Sequence, residues 1–195
     1  MEALIDILKK HWNYDGFRPQ QLAVIESILA GKDTLALLPT GAGKSICFQV
    51  PTIYQRGICI VISPLIALMQ DQVKDLVSKN LKAVLLGSHL SANEESNVFK
   101  EIEAKKYQFI YCSPEKLAQK HFQTLLSGLP IQLFAIDEAH CISQWGYDFR
   151  PSYRKLDFIK KTFPTIPILA MTASAIPLVQ KDMLVQLGVQ DANLI

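Results

Sequence analysis

Short apolar runs alternate with amphipathic segments along nearly all of the 195 residues, which limits the possible folds more sharply than anything else in the chain. The runs at 34–38, 58–62, 82–86, 108–112, 131–136 and 167–171 are rich in Val, Ile and Leu. Strands of that composition, without polar alternation, suit a sheet covered on both faces. Strands separated by helical segments form βαβ units around a parallel sheet. The expected fold is α/β, a mainly parallel sheet with helices on both faces.

The intervening segments carry helix signals. Residues 20–29 place Leu22, Ile25 and Leu29 on one face and end at Gly31; residues 64–79 place Leu65, Leu68, Met69, Val73, Leu76 and Val77 at helical spacing. Ser63 is the expected N-cap of that second helix, with Pro64 at its first position. Ser91 and Glu94 form a capping box. Ser113-Pro114 repeats the Ser-Pro start, and the last helix, 177–187, stops at Gly188. Without a repeat, linker or low-complexity tract, one compact domain is expected.

The loop Thr40-Gly41-Ala42-Gly43-Lys44-Ser45 follows the first apolar run and precedes a helix-compatible stretch. Glycines let backbone N–H groups turn toward phosphate oxygens, and the helix N-terminus adds its dipole. Lys44 is placed to reach β and γ phosphates, and the Ser45 hydroxyl to bind Mg²⁺. The strict phosphate-loop pattern has glycine five residues before Gly43, where this chain has Leu38. A Gly-rich turn with no ligand is the plainer alternative.

A second segment bears on that choice. The run 131–136 leads directly into Asp137-Glu138-Ala139-His140, and in open α/β sheets ligands bind at the carboxyl ends of strands. Asp137 can hold Mg²⁺ directly or through water, and Glu138 can orient and deprotonate an attacking water. Alone, an acidic pair after a strand serves equally well as a helix cap. Together with the loop it makes a hydrolytic nucleotide site. His140 suits coupling or packing better than ligation.

Bulk properties exclude little. The net charge is +2 and no dense basic stripe is present, so nucleic acid is permitted but not demanded. Cys47, Cys59, Cys112 and Cys141 are scattered without C-x-x-C spacing. Buried thiols in a reducing compartment are expected, and a structural zinc site is not. No apolar run has membrane-spanning length and no secretory signal is visible, so no membrane partner is expected.

At this point the chain resembles the first RecA-like motor lobe of superfamily 2 helicases, specifically the RecQ family of ATP-dependent DNA helicases. Tyr14 with Phe17-Arg18-Pro19-Gln20-Gln21 resembles that family's adenine-recognition motif. The resemblance implies that Tyr14 stacks on the base, Gln21 hydrogen-bonds its edge and Arg18 lies near base and phosphates. The family's phosphate loop also lacks the first glycine. It usually has glycine where Ala42 stands, and alanine is tolerated there only at negative φ.

The segments 63–72 and 111–115 resemble motifs Ia and Ib, which puts Ser63, Pro64, Ser113 and Pro114 on the DNA-facing side; helix capping is the alternative for both. Residues 142–150 with Pro151 resemble the aromatic-rich loop of RecQ enzymes, with Gln144, Trp145, Tyr147, Phe149 and Arg150. Exposed aromatics can stack on single-stranded bases at about 1–3 kcal/mol each. Tyr147 stands where the family usually has histidine. Thr172-Ala173-Ser174 occupies the place of motif III, usually Thr-Ala-Thr, and implies a coupling role for Thr172 and Ser174.

The resemblance implies ATP and Mg²⁺ as cofactors, with single-stranded DNA and duplex junctions as partners. It also implies a monomer moving 3′→5′, located at the bacterial nucleoid in the cytoplasm or in a eukaryotic nucleus. Residues 1–195 then correspond to the first lobe, without the second RecA-like lobe, zinc-binding region and winged helix that family members carry. The second lobe supplies an arginine finger, worth roughly 10³–10⁵ in rate in related enzymes. Alone, the chain is expected to turn over slowly and not to unwind. A nucleotide- and DNA-binding module without useful turnover is the alternative function.

Overall fold

The computed structural model describes residues 1–87, 90–146 and 148–195, the side chains of Arg154 and Lys155 excepted. Seven strands form one sheet: β1 (Thr34–Leu37), β2 (Ile58–Ile62), β3 (Ala83–Leu86), β4 (Phe109–Cys112), β5 (Ile131–Ile136), β6 (Ile168–Thr172) and β7 (Asn193–Leu194). Their order is β3-β4-β2-β5-β6-β1-β7, and every pairing is parallel. The six apolar runs are all strands, shifted by at most one residue at an end. The two-residue β7 carries no apolar run and was not expected.

Alternate residues of each strand enter different cores, as the two-residue period of a pleated strand requires. Ile58, Ile60, Ile62, Phe134, Ile136 and Ala170 face one layer; Cys59, Val61, Leu133, Ala135, Leu169 and Met171 face the other. On the first side lie α5 (Ala92–Glu103), α6 (Pro114–Leu117), α7 (Lys120–Ser127), α8 (Phe158–Thr162) and α9 (Pro177–Leu187). On the second lie α2 (Pro19–Leu29), α3 (Ile46–Gln55) and α4 (Ile66–Ser78), with α1 (Glu2–Trp12) packed outside α2 and α3. Each sheet face is dry, which explains the continuous Val/Ile/Leu runs.

Three helix expectations change. The buried face of α2 is Val24, Ile25 and Ile28 rather than Leu22, Ile25 and Leu29, a rotation of about one residue. Helix α4 starts at Ile66, with Leu65 at its cap. Pro64 therefore lies outside the helix, and Ser63 is not its N-cap. The Ser63 hydroxyl is buried and accepts the Leu65 N–H at 3.4 Å, bracing a turn ahead of the helix. The apolar stripe of α4 is also only partly used. Met69 and Leu76 are buried, whereas Leu65, Leu68 and Val77 are exposed.

Other caps form as expected. Ser91 and Glu94 close a reciprocal capping box, Ser113 accepts the Lys116 N–H at 3.3 Å, and α9 ends at Gly188 in the left-handed conformation. All four cysteines are buried and unpaired. Among the described residues no helix is long and apolar enough to cross a membrane.

Candidate nucleotide site and its coupled loop

The sheet order brings distant segments together. Strand β6 sits between β5 and β1, and the register aligns Ile136 with Ala170 and Leu37 with Thr172. The loop after β1, the acidic pair after β5 and Thr172 at the end of β6 thus share the carboxyl end of the parallel strands.

The loop is strapped from one side by the start of α2. Arg18 Nη1 donates to the Gly41 carbonyl at 2.8 Å. Gln21 Nε2 donates to the carbonyls of Ala42 at 2.8 Å and Gly43 at 3.2 Å. Gln21 Oε1 accepts the Arg18 N–H at 3.0 Å, so the strap is itself held in place. A trans peptide points its N–H opposite its carbonyl, so these bonds turn the Gly43 and Lys44 N–H groups away from α2. Neither of those two N–H groups has a hydrogen-bond partner among the described residues. Two convergent free donors, a lysine and a helix start make an anion cradle.

Gly43 has φ +73°, which favours glycine, and a Cβ there would lie 2.5 Å from Gln21 Nε2, so a side chain would have to displace the Gln21 amide. Gly41 also has positive φ, whereas Ala42 does not. Alanine therefore fits at position 42, as its side chain requires.

Thr40, Lys44, Ser45, Gln72, Asp137 and Glu138 line a cavity of about 280 Å³. A wider cleft of about 630 Å³ opens beside it, lined by Trp12, Tyr14, Arg18, Gln21, Ser45 and Asp75 among others. Tyr14 is exposed at this cleft, while Gln21 is buried. Sequence reasoning did not single out Trp12 or Asp75, and it placed Asp71 and Gln72 in the motif Ia segment on the DNA-facing side rather than at this cleft. Their place at the cleft is set in three dimensions, since α4 packs on the same sheet face as α2 and α3, and α1 packs outside those two.

Asp137 is fixed at three points. Its N–H donates to the Ile62 carbonyl at 2.8 Å, its carbonyl accepts from the Tyr153 hydroxyl at 3.3 Å, and its Oδ1 accepts the Glu138 N–H at 3.0 Å. Burial pushes its carboxyl above the ordinary range, with Glu138 adding to the rise and Lys44 opposing it. A nearby cation would favour its ionised form.

Glu138 has left-handed backbone, φ 48° and ψ 44°. Such conformations cost about 1–3 kcal/mol and persist only where surroundings enforce them. Here the turn aims the carboxylate into the cavity, with Oε1 4.0 Å from Lys44 Nζ and Oε2 3.3 Å from His140 Nδ1. His140 Nδ1 also lies 2.9 Å from Thr172 Oγ1. That hydroxyl donates to the Ser174 carbonyl at 3.3 Å, so it accepts from Nδ1–H, which assigns the ring proton. Burial lowers the His140 pKa, and Glu138 and Asp148 oppose that shift.

The aromatic loop hangs from the same turn. Trp145 is 59% exposed, Gln144 is exposed, and Phe149 is half-buried. Tyr147 lies outside the described residues. A Cβ on Gly146 would sit 2.6 Å from the His140 carbonyl, so only glycine lets the loop fold this closely onto the turn. Arg150 is held by its own loop and by the turn ahead of α4. Its Nε and Nη2 donate to Asp148 Oδ2 at 3.3 and 3.1 Å, and Nη1 reaches the Pro64 carbonyl at 3.5 Å. Ser143, not singled out in the sequence, anchors the loop. Its hydroxyl donates to Asp182 Oδ2 at 2.6 Å and accepts the Trp145 N–H at 3.2 Å. Ser113 is half-buried and Pro114 buried, so this pair meets solvent only in part.

Similarity to known proteins shows the family. The DEAD/DEAH box helicase family matches residues 18–182. The ATP-dependent DNA helicase RecQ of Pasteurella multocida is 41% identical over 98% of this chain and 30% of its own length. The probable ATP-dependent DNA helicase RecS of Bacillus subtilis is 43% identical, over 98% of this chain and 38% of its own. This chain thus spans about a third of those relatives. The crystal structure of the DUF1998 helicase MrfA bound to DNA and AMPPNP superposes with a TM-score of 0.73 at 16% identity, covering all of this chain and 28% of that one. That likeness establishes a RecA-like helicase fold. The chain belongs to the DEAD/DEAH box helicase family, and its sequence is similar to those of RecQ helicases.

Proposed function

We propose that residues 1–195 form the first RecA-like lobe, the ATP-binding and hydrolysing part, of a RecQ-like DNA helicase. In the full enzyme, hydrolysis drives movement along single-stranded DNA, 3′→5′, and unwinding of duplex junctions. The observation that carries this reading is the continuous path from Lys44 through Glu138 and His140 to Thr172 and the base of the aromatic loop. A nucleotide site and a loop with an exposed tryptophan share one turn of chain.

In this reading the Gly43 and Lys44 N–H groups and the Lys44 ammonium hold the β and γ phosphates of ATP. Tyr14 offers a face for adenine at the open cleft. Arg18 and Gln21 hold the loop in shape, and Gln21 Oε1 keeps one lone pair for the base edge. Ser45 and Asp137 are a suitable oxygen donor set for Mg²⁺, which when bound neutralises phosphate charge and orients it. Glu138 takes a proton from the water that attacks the γ phosphorus, and the bond to the β–γ bridging oxygen breaks to give ADP and phosphate. Lys44 balances the developing negative charge. Trp145, Gln144, Tyr147, Phe149 and Arg150 meet single-stranded DNA together with the surface at Ser63, Pro64, Ser113 and Pro114. A shift of the loop moves the His140 turn, and with it Glu138.

A second lobe in the complete protein closes the site and supplies an arginine, so this chain alone turns over slowly. The test is the ATPase activity of the complete gene product with and without single-stranded DNA. Stimulation is expected. Glu138→Gln should retain ATP binding and lose turnover, while Trp145→Ala should keep basal activity and lose most of the stimulation. Full stimulation of the Trp145→Ala enzyme would overturn the coupling role, and near-normal hydrolysis by Glu138→Gln would overturn the base.

A further inference from the structure

The turn after the acidic pair assembles a second group of donor atoms. His140, Cys141 and Asp148 each offer one ligand atom, all within 4.8 Å of one another. Cys141 Sγ lies 3.7 Å from His140 Nε2 and 3.6 Å from Asp148 Oδ2. Ligand bonds of about 2.0–2.3 Å in a tetrahedron set edges of about 3.3–3.6 Å. Two edges therefore already have nearly tetrahedral length without any ion.

We propose that His140 Nε2, Cys141 Sγ and an Asp148 carboxylate oxygen form a three-ligand site for a borderline-soft divalent cation of the Zn²⁺ class. This position is separate from the Mg²⁺ ligands Ser45 and Asp137, and the proposal does not depend on the nucleotide reading.

Three further features fit. The His140 tautomer is right: Nδ1–H faces Thr172 Oγ1 and Glu138 Oε2 at 2.9 and 3.3 Å, and the ring nitrogen that faces Cys141 is Nε2, which carries no proton in this tautomer. Histidines that bind metals characteristically hold their other ring N–H in this way. The donor set of nitrogen, sulfur and carboxylate oxygen suits Zn²⁺ rather than Mg²⁺ or Ca²⁺. Access exists as well, since Glu138, His140 and Asp148 line a cavity of about 200 Å³ with Pro64 and Leu65. Cys141 does not line it, so a cation enters from the His140 and Asp148 side.

One competitor is present. Arg150 donates twice to Asp148 Oδ2. That is the oxygen that also faces Cys141 Sγ, so the cation takes it in competition with the guanidinium. Cys141 enters as the thiolate, and its proton leaves to solvent as the cation binds. Occupancy would tie Asp148 to the Cys141 turn and fix His140 as a donor to Glu138.

The experiment is titration of the folded chain with Co²⁺ in excess Mg²⁺, read by absorption, with Zn²⁺ competition and calorimetry for stoichiometry. One equivalent should bind, with a thiolate-to-cobalt charge-transfer band that Zn²⁺ bleaches. The isosteric Cys141→Ser should abolish the band and Asp148→Asn should weaken binding, with Cys47→Ser unchanged. Thr172→Val, which removes the histidine's hydroxyl partner together with the bond to the Ser174 carbonyl, should weaken binding by about 10–100-fold. Circular dichroism confirms that each variant is folded. A wild-type chain without a thiolate band would overturn the proposal, as would a band that survives Cys141→Ser or is lost with Cys47→Ser.

Discussion

Replacing Gln21 by alanine removes three hydrogen bonds at once: two from Nε2 to the loop carbonyls of Ala42 and Gly43, and one from the Arg18 N–H to Oε1. A neutral hydrogen bond contributes about 0.5–1.5 kcal/mol net. The Arg18 N–H starts an exposed turn and regains water. The Ala42 carbonyl lies at a buried residue and is the costlier loss. The sum is about 2–3 kcal/mol. For a chain of this length each kcal/mol lowers Tm by roughly 2–4 °C, so Gln21→Ala should melt about 5–10 °C lower by calorimetry. Gln21→Glu separates the two functions. Its carboxylate still accepts the Arg18 N–H but cannot donate, and it turns negative charge toward two carbonyls. It should be at least as unstable as Gln21→Ala. A Gln21→Ala protein within about 0.5 kcal/mol of wild type, or a Gln21→Glu protein as stable as wild type, would refute the strap.

The remaining predictions are narrower. Lys44→Ala should abolish ATP binding in a fluorescent-nucleotide titration, because among the described residues no other cation lines that cavity; unchanged affinity would remove Lys44 from the site. Gly43→Ala should cost about 1–2 kcal/mol for left-handed backbone, plus the energy of displacing Gln21. In a double-mutant cycle the second part should vanish on the Gln21→Ala background, and strict additivity would show that the two residues do not meet. Ser143→Ala should lose about 1.5–3 kcal/mol, because its hydroxyl bonds a carboxylate. A urea melt with an unshifted midpoint would exclude the Ser143–Asp182 link.

Much of the fold was legible because each strand is buried on both faces. Burial on both faces enforces unbroken apolar runs, and six of these became six strands with only end residues displaced. The helices were less legible. In α2 the face turned inward is set by what α1 and α3 present, and Gln21 lies on it despite its polarity because the loop carbonyls satisfy its amide. At Ser63-Pro64 a motif that usually opens a helix instead makes a turn, and Arg150, from 86 residues away, donates to the Pro64 carbonyl. Helix α1 carries its own apolar face but no cap signal, since Met1 makes no side-chain hydrogen bond.

The sequence alone determined the chemistry on offer: a glycine loop with one lysine, an acidic pair after a strand, and aromatics on a broken segment. Those depend on residue type and local spacing, which a linear chain displays. Only the tertiary structure decided what meets. The parallel order that sets β6 between β5 and β1 joins Thr172 to His140 across 32 residues. The close approach at Gly146 folds Asp148 back over Cys141. Strand order and loop packing minimise the free energy of the whole core, and no local window of sequence carries that information.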